Sequence, residues 1–331
     1  MTGKVAFCVV AWNSASELGE CLAALTTQTG VESSVFLLDN GSTDNSREVV
    51  ARFPGVRATW SDVNHGFARG NNILIAQALA DPAVEYVALI NADAVLDRAW
   101  GASLVSFAEQ RGNVGSLQGL TLDYFDHTRV DSQHICVTGR LQGVQCGYGD
   151  PVSPPGEYYP RKVFGVNAAA CMYTRAMIEA LPDRAHGFFD ERFFMYYEDI
   201  DVSFRALLAG WDAWFVPAAL AYHMGSVSAR KRESIYSPLM VARNQPAVIF
   251  KNVPTRVLLR SFGQTARGVV AFLREVARNH GIKAAAQVAR SFVQGTLALP
   301  QYRTSRRAIQ AARTMDDNYL MRILHSGGIL G

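Results

Sequence analysis

The sequence predicts an α/β fold, a mostly parallel sheet flanked by helices, with a helical region after it. Three observations carry this. Short apolar runs rich in β-branched residues alternate with segments of helical period over the first two-thirds of the chain. Two of those runs, Val35–Asp39 and Tyr86–Asp93, end in carboxylates, as buried parallel strands do when their carboxyl ends face a ligand crevice. Past residue 226 the strand pattern stops and helical spacing takes over. At 331 residues, 49% hydrophobic and 18% charged, the chain is globular and has room for a large domain with an appendage.

Taken in order, Val5–Trp12 reads as the first strand; it is short for a signal peptide and reaches Asn13 and Ser14 without a cleavage pattern. Ser16 begins a helix that carries Leu22, Ala23 and Leu25 at helical spacing. Val35–Asp39 is the second strand, and the turn-rich Asp39–Asp44 offers caps to the helix after it. Val56–Trp60 is a third strand, and Asn64–Asn72 leads into a helix over Ile73–Leu79. Tyr86–Asp93 is a strand, Trp100–Gln110 a helix and Val114–Leu122 a further strand. This alternation is that of a doubly wound sheet. Residues 123–160 lack periodicity, hold many Gly and Pro, and read as loops over the active face. Val163–Tyr173 reads as one strand. The aromatic Phe188–Tyr197 runs into Glu198–Asp201, where a helix starts that reaches Ala209 and closes at Gly210. Trp211–Val216 is a strand, with His223 beyond it.

The total charge of +3 hides an asymmetry: residues 1–225 hold 15 Lys and Arg against 25 Asp and Glu, and residues 226–331 hold 17 against 4. The basic part is expected to face an anionic partner. Within it Leu259, Phe262, Ala266, Val269, Leu273 and Val276 form a stripe flanked by Arg260, Arg267 and Arg274, a basic amphipathic helix. No run approaches the ~18 apolar residues of a membrane-spanning helix. The five cysteines are scattered, without a CxxC or a His/Cys cluster, and read as buried free thiols in a reducing compartment.

Neither the P-loop pattern nor the spaced dinucleotide-binding pattern occurs, which weighs against simple nucleotide hydrolysis and hydride transfer. What does occur is an ordered set: Val9–Asn13, Leu37–Asp44, Asn64–Asn72, Asn91–Asp93 and Glu198–Asp201. The set resembles family 2 glycosyltransferases of the GT-A type (a Rossmann-like sheet). Its second and third segments are most similar to the rhamnosyltransferase-like branch, which builds bacterial polysaccharides. The resemblance covers residues 4–228.

The resemblance implies a site. Asp39 would accept the N3–H of a pyrimidine, against the plainer reading of a turn Asp. Ala11, Asn13, Gly41, Asn64, Gly66, Phe67, Arg69, Asn72, Asn91, Ala92 and Asp93 would line the nucleotide and its sugar. Departure of a diphosphate builds negative charge, which a divalent cation offsets. The family's usual Asp-x-Asp is here Asn91-Ala92-Asp93, one carboxylate short, so His223 would complete a Mn²⁺ or Mg²⁺ site. A satisfied structural histidine is the competing reading. Asp199 would be the general base that activates the acceptor hydroxyl, with Glu198, Tyr196 and Tyr197 beside the acceptor. The plainer reading of Glu198, Asp199 and Asp201 is favourable charge at a helix N-terminus.

The expected activity is inverting transfer of one sugar, with dTDP-L-rhamnose favoured over UDP-galactose, UDP-glucose or UDP-GlcNAc. The acceptor would be a hydroxyl of a lipid-linked or polysaccharide glycan. Residues 1–228 would form the catalytic domain, with a nucleotide-sugar half at about 1–95 and an acceptor half at about 96–228, and 229–331 the helical region. That region has two explanations: peripheral contact at the inner face of the cell membrane, from the cytoplasm, or packing on a second subunit as a homo-oligomer. No nucleic-acid partner is expected, since no reader motif accompanies the charge. A sugar nucleotidyltransferase lacks support because Val9–Ser16 holds no Gly-rich phosphate cradle. A catalytically silent scaffold would not need Asp39, Asp93, Asp199 and His223 together.

Overall fold

The structure is a computed structural model that describes residues 3–154, 156–225, 235–325 and 329–330. The elements of the first part are β1 (Lys4–Ala11), α1 (Leu18–Thr26), β2 (Ser33–Asn40), α2 (Ser46–Val50), β3 (Val56–Ser61), α3 (Gly66–Leu79), β4 (Val84–Asn91), β5 (Ala94–Leu96) and α4 (Trp100–Glu109). Then come β6 (Val114–Asp123), β7 (Val130–Ser132), β8 (His134–Val137), β9 (Gly143–Cys146), β10 (Arg161–Val163), β11 (Ala170–Thr174), α5 (Arg175–Ala180), α6 (Glu198–Leu208) and β12 (Asp212–His223). The helical region holds α7 (Tyr236–Asn252), α8 (Thr255–His280), α9 (Ile282–Leu297), α10 (Arg303–Ala311) and α11 (Asp317–His325), and ends in β13 (Ile329–Leu330).

The main sheet runs β13-β10-β12-β6-β11-β4-β1-β2-β3, with β5 on β12 and β7 on β6. Strands β4, β1, β2 and β3 are mutually parallel. From β1 the chain winds outward to β2 and β3, then returns to place β4 on the other side of β1. That reversal makes a switch point, and its crevice lies at the carboxyl ends of β1 and β4. Antiparallel β11 follows β4 and hands the sheet on to β6 and β12, which are parallel to each other.

Both faces of the sheet are covered, which is why its strands read as nearly continuous apolar runs. Val5, Phe7 and Val9 of β1 pack with α1 and α4 residues such as Leu22, Trp100 and Leu104, while Ala6 and Cys8 pack with Leu74 and Ile75 of α3 on the other face. The period-2 alternation of a strand divides one short sequence between two cores.

Three expectations need correction. Residues 123–160 are not all loop: they form β7 and the β8–β9 hairpin. Val163–Tyr173 is two short strands, because residues 164–169 leave the sheet between β10 and β11. Cys136 and Cys146 lie across that hairpin and are bonded as a disulfide, with His134 Nδ1 3.7 Å from the Cys136 sulfur; Cys8, Cys21 and Cys171 are the buried free thiols. A His/Cys cluster therefore exists in space although the sequence spacing hides it. The apolar stripe of α8 faces outward over the first half of the helix and turns inward at Leu273 and Val276. The buried line is Val257, Ser261, Gly268 and Val276, and Leu259 and Phe262 stand 73% and 69% exposed.

Helix α7 joins the helical region to the sheet domain through buried polar contacts. Lys251, wholly buried, lies 2.6 Å from Asp190, 3.1 Å from Asp201 and 3.6 Å from Asp183. Arg205 and Arg192 add the second and third cations, at 2.9 Å from Asp201 and 2.6 Å from Asp190. Three carboxylates thus meet three cations, the condition under which buried charge is tolerated. No helix among the described residues is long and apolar enough to cross a membrane.

Candidate active site

Three neighbouring strands end at the same level. The register sets Ala11 beside Asp39 and Val10 beside Asn91, so the turns after β1, β2 and β4 share one edge. Asp39 is fully buried there. Its Oδ1 accepts from the Ser42 N–H at 3.0 Å, whereas Oδ2 has no partner. A buried carboxylate oxygen left without a donor is costly, and an N–H from a ligand would relieve it.

The surrounding residues hold this edge in shape. Asn13 accepts from the Thr43 N–H at 2.8 Å and its own N–H donates to the Ser42 hydroxyl at 3.0 Å, tying the first turn to the second. Gly41, at φ 82°, passes so close to the next turn that a Cβ would lie 2.9 Å from the Val63 carbonyl carbon. Asn64 accepts from the Gly66 N–H at 2.8 Å and from the Asn40 amide at 3.1 Å. Ala92 is buried between the strand end and Asp93.

Asp93 meets His223 because β5 and β12 are antiparallel with His223 opposite Ala94. His223 Nε2 lies 3.2 Å from Asp93 Oδ1, and Nδ1 lies 3.2 Å from Asp131 Oδ2. The first contact has the distance of an ion pair without the alignment of a hydrogen bond, since Nε2 finds no hydrogen-bond partner. Burial alone would lower the His223 pKa, but Asp131 and Asp93 outweigh it and raise the pKa to about 10. This donor set fits a divalent cation: an imidazole nitrogen and a carboxylate oxygen face one another, nearly buried. Without an ion the ring is protonated on both nitrogens and its charge faces Asp93; a cation would take the place of the Nε2 proton, with Asp131 holding the proton on Nδ1. Asp131 lies on β7, in the stretch read as loop, and no sequence motif marks it.

The residues expected beside the acceptor sit on α6 and the loop before it. Phe194, Tyr196 and Tyr197 all have left-handed φ, at 63°, 67° and 74°. Such strain persists only where the surroundings over-determine it. Here Asn244 of α7 donates to the carbonyls of Phe193, Met195 and Tyr196 at 3.0, 2.9 and 2.8 Å. The Phe194 carbonyl in turn accepts from the Phe67 and Ala68 N–H groups at the start of α3. Gly66, at φ 76°, is required at that contact, because a Cβ would lie 2.5 Å from Phe194. The helix therefore starts at Gly66, earlier than its apolar pattern.

Asp199 is half-buried in the first turn of α6. Burial raises its pKa to about 6, against the pull of the Ile200 and Ala168 N–H groups. Ala169 next door accepts from the Asn91 N–H at 2.8 Å, so a single segment touches both the strand end before Asp93 and the Asp199 carboxylate. Glu198 is pushed well above the ordinary carboxylate range by burial and by Asp199. Both carboxyls are pushed up, and Asp199 is the more readily ionised of the two. That split suits a base beside a hydrogen-bond donor.

The remaining predicted residues are placed as follows. The Tyr197 ring is buried and its hydroxyl accepts from the Gly143 N–H of the β8–β9 hairpin at 3.2 Å, while Tyr196 is half-buried. Asn72 exchanges hydrogen bonds with the Phe189 backbone at 2.8 and 2.9 Å, so its amide braces the aromatic loop. Phe67 packs edge-on against Phe189. Arg69 is exposed and 4.0 Å from Glu191. Phe188, Phe189 and Phe193 are core residues.

Solved structures share this architecture. The mannosyltransferase PcManGT from Pyrobaculum calidifontis, in complex with GDP-Man and Mn²⁺, matches with a TM-score of 0.54 and 16% identity, over 94% of this chain and 86% of that one. GalNAc-T7 with UDP, GalNAc and Mn²⁺ matches with a TM-score of 0.54 and 12% identity, over 85% of this chain and 59% of that one. The fold class is thus the GT-A glycosyltransferase fold. More narrowly, the chain belongs to glycosyl transferase family 2, whose model matches residues 6–179, and it is a glycosyltransferase. Among curated proteins it is 28% identical over 244 residues to the N-acetylglucosaminyl-diphospho-decaprenol L-rhamnosyltransferase of Mycobacterium tuberculosis, spanning 67% of this chain and 76% of the relative.

Proposed function

We propose that the chain is an inverting transferase that moves one L-rhamnose from dTDP-L-rhamnose to a hydroxyl of a lipid-linked glycan intermediate at the inner face of a cell membrane. The carrying observation is that a buried Asp39 with one unpartnered oxygen and the Asp93–His223 pair stand on the same edge of the sheet, at the ends of β2 and β4 on either side of β1. Asp39 accepts the pyrimidine N3–H through Oδ2. Asp93 and His223 hold a divalent cation, and Asp131 holds His223. The cation, when bound, neutralises charge on the departing diphosphate. Asp199 takes the proton of the acceptor hydroxyl as its oxygen attacks the anomeric carbon, and Glu198 braces that acceptor as a donor. The rhamnosyl donor and the lipid-linked acceptor are the chemistry in the mycobacterial relative's name.

A UDP-sugar donor is the second reading, because thymine and uracil present the same N3–H to Asp39. Residues 1–228 carry this chemistry and 229–331 the membrane contact. Leu259, Phe262, Ile282 and Leu297 are exposed on α8 and α9, with Arg256, Arg260 and Arg267 beside them, as on a helix lying at an anionic interface. The test is a transfer assay with a diphospholipid-linked GlcNAc acceptor. It compares dTDP-L-rhamnose, UDP-galactose, UDP-glucose and UDP-GlcNAc, each with Mn²⁺, Mg²⁺ or chelator. Turnover with dTDP-L-rhamnose and metal is expected. Turnover with a UDP-sugar alone would move the assignment to the second reading, and full activity in chelator would remove the cation from the site.

A further inference from the structure

A cavity of about 540 Å³ lies in the helical region, away from the strand ends. Its walls carry Arg256, Arg303, Arg306, Arg307 and Arg313 against a single carboxylate, Asp317. Arg313 and Asp317 pair with each other. Arg306 is held by neutral acceptors only: the carbonyls of Phe250 and of Val253, the latter at 2.9 Å, and the Thr255 hydroxyl at 3.0 Å. Arg256, Arg303 and Arg307 are exposed and have no carboxylate partner among the described residues. Four guanidinium groups thus converge without a counter-charge. Steps of three and four along α10 aim Arg303, Arg306 and Arg307 at one place, and Arg256 enters from the first turn of α8. The leading N–H groups of that 26-residue helix have no side-chain cap, so the helix end adds to the positive field.

Guanidinium forks match phosphate oxygens two at a time. We propose that this cavity is a phosphate site that takes the headgroup of an anionic membrane phospholipid. Lipid is preferred to a free anion because of what borders the arginines. Leu259 and Phe262 follow Arg256 on α8 at steps of three and six, and project 73% and 69% exposed. A phosphate in the cavity with acyl chains along that ridge is the arrangement of one phospholipid at an interface. The inference rests on the membrane reading of the helical region and not on the assigned sugar chemistry.

The test is vesicle flotation of the full chain, free of donor, with phosphatidylcholine vesicles and with phosphatidylcholine–phosphatidylglycerol vesicles. The Arg303→Ala/Arg307→Ala variant removes two exposed cavity arginines; Arg278→Ala/Arg290→Ala removes equal charge from exposed positions outside the cavity. Wild type is expected to float with the anionic vesicles only. The cavity variant should bind them at least about tenfold more weakly, and the control less than about threefold. Equal losses in both variants would mean diffuse charge and overturn the site. Undiminished flotation of the cavity variant would overturn the site while leaving the membrane contact standing. No flotation of wild type would overturn both. Titration with inorganic pyrophosphate separates the sources: binding lost in the cavity variant, without any vesicle binding by wild type, would assign the cavity to a soluble anion and refute the lipid. Sugar transfer to a soluble acceptor should be unchanged in R303A/R307A, so failure here is distinct from failure of the transferase reading.

Discussion

Replacing Asp199 by Asn should stabilise the protein at alkaline pH while disabling it. The carboxyl sits at about 6 in the fold instead of its ordinary 3.8, and each pH unit of that difference is worth about 1.4 kcal/mol. Ionised Asp199 therefore costs the fold at most about 3 kcal/mol, and roughly 1–2 kcal/mol once solvent reaches its exposed part. The sign follows from proton binding. The folded state holds the proton more tightly, so the cost is absent below the unfolded value of 3.8 and complete above about 6. Asn carries no charge at any pH. It keeps an acceptor for the Ile200 N–H, which reaches Asp199 Oδ1 at 2.8 Å, but turns a donor toward Ala168, a loss of about 1 kcal/mol that does not vary with pH. The clean quantity is therefore the change with pH. The stability of Asp199→Asn relative to wild type, from urea titrations at pH 4 and pH 8, should rise by about 1–2 kcal/mol. Over the same range transfer should fall about 10²- to 10⁴-fold, and wild-type kcat/KM should fall as pH drops through about 6. A stability difference identical at both pH values, or a wild-type profile flat through pH 6, would refute the assignment of Asp199 as a desolvated base.

Three further outcomes are expected. Asp39→Asn presents an amide where Oδ2 faces the ligand N–H, and should weaken dTDP and UDP binding about 10- to 100-fold by calorimetry; unaltered affinity would place the base elsewhere. Asp131→Ala frees the His223 tautomer and should weaken Mn²⁺ binding to the isolated protein about 10- to 100-fold, and equal affinity would reduce Asp131 to a packing role. Asn244→Ala strips three carbonyls of the strained loop of their donor, so the thermal midpoint should drop by the equivalent of about 2–3 kcal/mol, with kcat reduced more than donor affinity; an unchanged kcat would show that the loop holds its shape without α7.

The strand ends were legible because two local signals coincide there. A buried strand must be apolar along its length, and a polar group at its last position has only the crevice to enter. Asp39 lies one residue before the end of β2, and Asp93 two residues past the end of β4, so the apolar run points at both although the expected strand Tyr86–Asp93 stops at Asn91. Asp131 carries neither signal. Its strand is three residues long, and its partner, Leu122 opposite Val130, is supplied by tertiary register. The disulfide was hidden for a similar reason: Cys136 and Cys146 meet because His134 pairs with Cys146 across a hairpin, a register that composition does not reveal. Helix α8 was legible as basic and amphipathic, but its apolar stripe suits a membrane surface and a packed face alike. Over its first half small residues decided the packing. At Gly268 a Cβ would come within 3.0 Å of the Arg140 Cβ, so the turn at 140–142 docks on that side and leaves Leu259 and Phe262 outward.

The charge division of the chain also has a structural consequence at the site. Residues 1–225 are acidic in sum and 226–331 basic, yet the boundary between them is crossed by buried cation–carboxylate contacts. Lys251 and Asn252 of α7 hold Asp201, two residues along α6 from Asp199, the proposed base, and Asn244 of the same helix holds the left-handed loop that leads through Tyr196 and Tyr197 to Glu198. Removing one member of such a network leaves an uncompensated buried charge, which costs about 3–5 kcal/mol. Helix α7 therefore cannot drift without releasing both the loop and the start of α6. Its far end, at Phe250 and Val253, supplies the carbonyls that anchor Arg306 in the arginine-lined cavity. Helix α7 thus links the loop before Asp199 to the arginine-lined cavity, so on the proposed reading the seating of the chain on a membrane and the placing of the acceptor hydroxyl would be coupled through one element.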